Sequence, residues 1–213
     1  MSKIPSKQAL TPRKTKGELT ADRILDAAEG VFAARGYQSA SLREIAQIAQ
    51  IKEPGLYNYF KGKQALYSAV LDRALSPMAQ AMESHLGNAL SYQDYVELPI
   101  VMTDLLIEHP TMASLFQQAL QGDKAAVDNL LINRWLEHLF SKGKQTIDAL
   151  GINSELDTED IAIHIIAMFN LITGYFLSQR AFATLAEGDI SSPENIEKQK
   201  RLLRRVIRTM LVS

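Results

Sequence analysis

Two tyrosines, an asparagine and three lysines are gathered between Ile48 and Lys63, in the run I-A-Q-I-K-E-P-G-L-Y-N-Y-F-K-G-K. Phenolic hydroxyls and ammonium groups bind phosphate oxygens, and short or polar side chains at the amino-terminal end of a helix reach base edges in a major groove. The run therefore reads as the second helix, turn and recognition helix of a DNA-binding helix-turn-helix. Glu53, Pro54 and Gly55 open the recognition helix, nearest the bases. The Glu53 carboxylate can accept from a cytosine amino group, Pro54 can touch a thymine methyl, and Gly55 removes bulk so that the backbone can approach. A carboxylate at a helix amino terminus is also favourable in its own right, so Glu53 has two readings. Tyr57 and Tyr59 offer hydroxyls to phosphates on either side of Asn58. Lys52 and Lys61 add charge, and Lys63 opens the next helix, beside backbone amides that favour an anion. Arg43 fits a guanine or phosphate contact, with Ser41 two places before it. Leu56, Phe60, Ile45, Ala46 and Phe32 read as core.

These side chains need helices to place them. Ile24, Leu25, Ala28, Val31 and Phe32 recur at helical spacing between Thr20, as cap, and Gly36, as stop. Ser41-Leu42-Arg43-Glu44 has the spacing of a capping box and predicts a second helix to about Ala49. The third helix starts near Glu53, where Pro54 is tolerated because first-turn amides have no intrahelical partner, and ends by Lys61-Gly62.

Beyond it the turn signals predict helices over 63–86 with Pro77 as a kink, 91–108 interrupted by Pro99, a segment from His109-Pro110 to Gly122, and a helix capped by Asp123 that stops at Gly151. The last two helices are expected over 158–186 and 193–212, which makes about nine helices and no strand. In the first of these, Ile161, Ile165, Met168, Ile172 and Phe176 form one stripe, with further apolar residues off it. A helix apolar on more than one side needs more than one partner, so a second subunit is expected against Ile165, Ile172, Phe176, Leu203 and Ile207; a central helix of a monomeric bundle is the other reading. The cationic run Lys198, Lys200, Arg201, Arg204, Arg205 and Arg208 reads as the solvated face of the final helix.

Charge is spread unevenly over the 213 residues. Residues 1–16 hold five basic and no acidic residues, residues 17–63 hold six of each, and the remaining 150 hold 12 basic and 18 acidic. The basic arm reads as a disordered terminus or as a segment that lies along phosphates. The chain has no cysteine, which removes disulfides and thiol chemistry and fits a reducing cytoplasm. No run of about 18 apolar residues predicts a membrane span, and the polar, basic amino terminus has no secretory h-region. His85, His109, His138 and His164 do not form a tight metal-ligand pattern, and there is no nucleophile elbow or phosphate-binding glycine loop, so no metal, cofactor or enzymatic activity is expected.

Ile24-Leu25-Asp26-Ala27-Ala28, Phe32, Gly36-Tyr37, Ser41, Ile45-Ala46, Leu56-Tyr57-Asn58-Tyr59-Phe60 and Lys63-Gln64-Ala65-Leu66 occur in this order. Together they resemble the amino-terminal domain of the tetracycline-repressor (TetR) family of bacterial transcription regulators. The resemblance covers Thr20 to about Val70. Two positions depart from it: Gln50 stands where the family usually has a turn glycine, which at positive φ costs on the order of 1 kcal/mol, and Lys52 stands where it usually has a Ser or Thr cap.

The resemblance implies an all-α protein with a flexible arm (1–16), a three-helix DNA-binding domain (17–62) and a larger helical effector-binding and dimerisation domain (63–213). It also implies a homodimeric, ligand-responsive regulator, a repressor, released from a palindromic operator by a small apolar or amphipathic effector. Met102, His109, Met112, Phe116, Trp135, His138, Phe169 and Tyr175 are candidates to line the effector pocket, although such spacing also suits ordinary core. A DNA-bound architectural or division-control protein without an effector is the alternative.

Overall fold

A computed structural model describes residues 14–87, 92–121, 128–151 and 157–212, which form ten α-helices with no strand among them. They are α1 (Lys16–Ser39), α2 (Leu42–Ile48), α3 (Glu53–Leu56), α4 (Lys63–Gly87), α5 (Tyr92–Glu108), α6 (Met112–Gln121), α7 (Asp128–Leu150), α8 (Thr158–Phe176), α9 (Gln179–Ala186) and α10 (Pro193–Val212).

The first helix starts a turn earlier than its apolar periodicity predicts. Thr15, not Thr20, is the cap: the Glu18 amide donates to Thr15 Oγ1 at 3.2 Å, and the Thr15 amide donates to the Glu18 carboxylate at 2.6 Å. This reciprocal pair satisfies two amides that a helix start leaves without partners. Thr20 lies inside the helix, its hydroxyl donating to the Lys16 carbonyl. Lys16, assigned to the arm, thus opens α1, and Lys14, just before the cap, pairs with Asp22 of that helix at 2.7 Å; residues 1–13 lie outside the described residues. Gly36, at φ 72°, breaks the helical run as expected of a left-handed stop.

The capping box expected at Ser41 does not form. Ser41 occupies the cap position but its hydroxyl makes no capping bond, and the Glu44 carboxylate, the other half of the expected box, is held instead by Arg35 at 2.7 Å. Near the other end, the helix expected over 158–186 is two helices, α8 and α9, bent by 67° at Leu177-Ser178. That break raises the count from nine to ten. The helix expected from Asp123 is described from Asp128; residues 122–127 lie outside the described residues.

One connected core joins these elements, from Ile24, Ala28 and Phe32 of α1 through Leu66, Leu71 and Met78 of α4 to Phe116 of α6 and Ile172 of α8. Ion pairs frame it: Arg73 of α4 bridges Asp26 and Glu29 of α1 at 2.8 and 2.7 Å, and Arg204 of α10 grips Glu97 of α5 through two bonds of 2.9 Å. Gln199 of α10 donates to the Leu171 carbonyl, and Tyr175 donates to the Ile190 carbonyl, so α10 runs back along α8.

The residues expected to meet a second subunit face inward. Ile165 (8% exposed), Ile172 (2%), Leu203 and Ile207 are buried within this chain, and Phe176 packs partly buried against the same core. The α8 stripe that sequence periodicity selects is buried where α5, α6, α7 and α10 pack on this helix. The side chains left outside are Ile163, Ile166 and Leu171 of α8, Leu177 at its C-cap and Leu202 of α10.

Candidate nucleic-acid interface

The α2–α3 unit is seated by its apolar side. Ile45, Ala46, Ala49 and Leu56 are buried, and Leu42, Ile51 and Phe60 pack on the same core. Between the helices the chain turns within four residues: the Gln50 amide donates to the Gln47 carbonyl at 3.1 Å and the Ile51 amide to Ala46 at 3.0 Å. Gln50 adopts φ 57°, the left-handed conformation expected from its alignment with a turn glycine. The short α3 carries Pro54 in its first turn, as expected, and Lys52 makes no side-chain cap. Helical bonding then gives way to turns, with the Tyr59 and Phe60 amides sharing the Leu56 carbonyl at 3.0 Å each.

Burying Leu56 rotates its neighbours outward. Tyr57 and Tyr59 are 52% and 40% exposed, and Asn58, Pro54, Lys52, Arg43 and Ser41 are exposed with them; Glu53 and Gly55 are half-buried. Ten candidate residues were expected on this surface, and nine present themselves along α2, the turn and α3. Lys63 differs. Its ammonium donates to the Gln38 carbonyl at 3.0 Å and lies 4.9 Å over the Tyr37 ring, and burial lowers its pKa. Lys63 therefore ties the start of α4 to the end of α1, and any phosphate contact must use its remaining donors.

Beneath this surface Phe32, Tyr37 and Tyr67 form a cluster with ring centroids 4.8 to 6.3 Å apart. Tyr67 and the Arg35–Glu44 pair, which position α2 and α4, are absent from the candidates because their letters carry no distinctive spacing. The Thr15 cap is different: T-x-x-E at 15–18 is a legible signal.

The effector candidates separate into two groups. Phe116, Trp135 and Phe169 pack on one another with centroids 5.1 to 5.6 Å apart, mostly edge-to-face, and Met102 and Met112 are buried in the same core. His109 and His138 are exposed, and Tyr175 spends its hydroxyl on the Ile190 carbonyl at 2.7 Å, so these three do not join the aromatic cluster. His138 instead shares with Trp135 an outer recess between α4 and α7, lined also by Ala79, Met82, Glu83 and Lys142.

α6 connects this cluster to α1. Ser114 Oγ and Gln118 Nε2 donate to the Ala33 carbonyl of α1 at 2.7 and 2.9 Å, and Thr111 donates to the Glu29 carboxylate that also holds Arg73. Ala33 lies in the last turn before Gly36, where helical carbonyls run short of donors. On its other side α6 offers Gln117 to Thr173 of α8 at 2.8 Å and to Asn170 at 3.3 Å.

Residues 24–70 match the model of the bacterial regulatory proteins of the tetR family. SrpR, an HTH-type transcriptional regulator of Pseudomonas putida, is 30% identical over 157 residues, 68% of this chain and 71% of SrpR. YvkB, an HTH-type transcriptional regulator of Bacillus subtilis, is 28% identical over 74% of this chain and 82% of its own length. The fold is shared with FadR of Bacillus subtilis, a transcriptional regulator solved in complex with stearoyl-CoA, at 18% identity and a TM-score of 0.64, covering 85% of this chain and 96% of that one. With the helix-turn-helix standing on the surface that its buried side chains dictate, the chain belongs to the TetR family of transcriptional regulators.

Proposed function

We propose that this regulator acts as a homodimeric, effector-released repressor of a palindromic operator. The observation that carries the reading is the exposed row Arg43, Lys52, Pro54, Tyr57, Asn58 and Tyr59, standing on a core that Leu56 and Ile45 complete. In this assignment residues 17–62 are the DNA-binding domain, with residues 1–16 ahead of it, and residues 63–213 carry the effector and dimer functions. Pro54 and Gly55 approach base edges together with Glu53, while Ser41, Lys52, Tyr57, Asn58, Tyr59 and Lys63 anchor phosphates and Arg43 meets a guanine or a phosphate. Two copies related by a two-fold would set their recognition helices about 34 to 36 Å apart, in successive major grooves.

The effector would be apolar or amphipathic and would enter among Phe116, Trp135 and Phe169 from the recess at His138. FadR with stearoyl-CoA supplies a precedent in the same fold. These rings fill the space between them, so an effector must open α6 and α7, and α6 holds α1 through Thr111, Ser114 and Gln118. An effector with higher affinity for the opened state would thereby draw the protein from operator-competent geometry.

Gel-shift titration against the DNA upstream of its own gene, with stearoyl-CoA and free stearate as probes, tests both halves. Sequence-selective retardation that either probe reverses is the expected result. Binding no better than to scrambled DNA would sink the operator reading. Selective binding unmoved by either probe, with no probe bound in calorimetry, would remove the acyl class of effector.

A further inference from the structure

Trp135, His138 and Lys142 follow one another at spacings of three and four residues and so share one face of α7. All three line the outer recess, opposite Met82 and Glu83 of α4. The charged groups there are not equally solvated. Lys142 is half-buried, whereas Glu83 and His138 are exposed, so the ammonium is the more desolvated charge. Trp135 is half-buried as well, and its ring packs on Phe116 and Phe169 at 5.1 and 5.6 Å. An indole N–H removed from water usually finds an acceptor, yet that of Trp135 has none among the described residues.

We infer that this recess recognises a single carboxylate carried on an apolar tail, with Lys142 as its counter-ion and the Trp135 N–H as a second donor. The inference rests on the effector reading above and names the effector's polar end. A carboxylate that meets an ammonium at the edge of an apolar interior forms a charge-assisted hydrogen bond, about twice as strong as a neutral one. Each charge also relieves the desolvation of the other. The tail then lies against Met82 and the Trp135 ring, which the recess shares with the aromatic cluster. Its entry therefore presses on Phe116 of α6 through that ring.

Glu83 limits how much negative charge the site accepts. One carboxylate can sit on Lys142, but a head group with several phosphates must crowd its charge against Glu83, with a single lysine in the lining to offset it. A CoA thioester fits poorly on both counts: its acyl group has no carboxylate to give Lys142, and its head group is a polyanion. The same ammonium repels an amine, and an alcohol offers it no charge. The site therefore ranks a free acid above the thioester, the amine and the alcohol of equal chain length.

Trp135 is the single tryptophan of the chain, so its emission reports on the recess without a label. Laurate, dodecanol, dodecylamine and lauroyl-CoA are titrated into the full chain at neutral pH, with calorimetry in parallel. Laurate should shift the emission and bind about tenfold or more tightly than each of the other three, the size of one hydrogen bond to a charged group. Lys142→Gln should abolish the preference for laurate over dodecanol and leave the dodecanol affinity unchanged, which shows the fold intact. Glu83→Gln should tighten lauroyl-CoA binding, a gain that a damaged fold cannot give. Dodecylamine or lauroyl-CoA binding more tightly than laurate, or a Lys142→Gln variant that keeps the full preference, overturns the carboxylate assignment and leaves the effector reading standing. An unmoved lauroyl-CoA affinity in Glu83→Gln overturns the charge limit. If none of the four binds by emission or calorimetry while operator binding is intact, the recess is not an effector site.

Discussion

The α2–α3 unit and α8 both present one face to the core and one to the outside, but they differ in how visible that division is in the letters. In α2–α3 the inner residues are Ile45, Ala46 and Leu56 and the outer ones are Arg43, Lys52, Tyr57 and Asn58. In α8 the inner residues are Ile161, Ile165 and Ile172 and the outer ones include Ile163, Ile166 and Leu177. An outward surface that binds phosphate must be polar, whereas one that binds another protein face can repeat the chemistry of the core. The outer side of the first region is therefore legible in residue type, and that of the second only in which stripe the neighbouring helices cover.

Charge insertion in α8 tests that distinction most severely. Ile172→Asp should cost more than about 4 kcal/mol, because an unpaired carboxylate would sit in a filled core; urea denaturation of the variant would show it unfolded or nearly so. Ile166→Asp should leave the monomer's midpoint almost unchanged while raising the dimer dissociation constant about a hundredfold, read by sedimentation equilibrium. Equal loss of stability in both variants would mean that the outer stripe is as much core as the inner one.

In α2–α3 the effects should fall on binding. Tyr57→Phe removes a single hydroxyl from a half-exposed ring and should weaken operator binding about tenfold, roughly 1.4 kcal/mol, a size typical of a hydrogen bond to a charged group; calorimetric unfolding should be unaffected. A drop in midpoint of several degrees would reassign Tyr57 to structure. Gln50→Gly should do the opposite, raising stability by up to about 1 kcal/mol by relieving the left-handed strain at φ 57°, with operator affinity nearly constant.

The smallest effect expected is electrostatic. The Arg204 guanidinium, through its two hydrogen bonds, lowers the Glu97 pKa against a partial opposition from burial. A carboxylate depressed in the folded state adds stability above its ordinary pKa, and that stability is lost as pH falls through the lowered value. Both side chains are about a third exposed, 32% and 31%, so solvent screening limits the contribution to about 0.5–1 kcal/mol. Arg204→Gln should reduce the acid sensitivity of unfolding in that window; an unchanged pH slope would show that the pair contributes nothing to it.

Much of the helical order was legible because turn chemistry is local. Gly36, Pro54 and Gly151 sit at the boundaries or conformations that their types imply, whereas Gln50 takes the left-handed conformation implied only by its alignment with a turn glycine. Local signals misled where a distant side chain competed: Glu44 was drawn from the Ser41 cap by Arg35. Basic charge alone ends the arm at residue 16, whereas Thr15 and Glu18 already mark a helix start. Lys63 looked like a free cation because neither the Gln38 carbonyl nor the Tyr37 ring is near it in sequence. The effector candidates are large apolar residues and polar handles, and no one-dimensional pattern tells that Phe116, Trp135 and Phe169 converge while His109 lies outside.

By itself the sequence determined an all-helical chain, its helix-turn-helix and the residue types available to DNA, since each depends on periodicity, capping and side-chain chemistry within a few turns. Only the tertiary structure decided which apolar stripe of α8 is core, that Leu177-Ser178 is a bend, and that α6 touches α1 on one side and α8 on the other. Burial is a relation between elements distant in the chain, and isoleucine has the same transfer free energy whichever helix, or whichever copy of the protein, removes it from water.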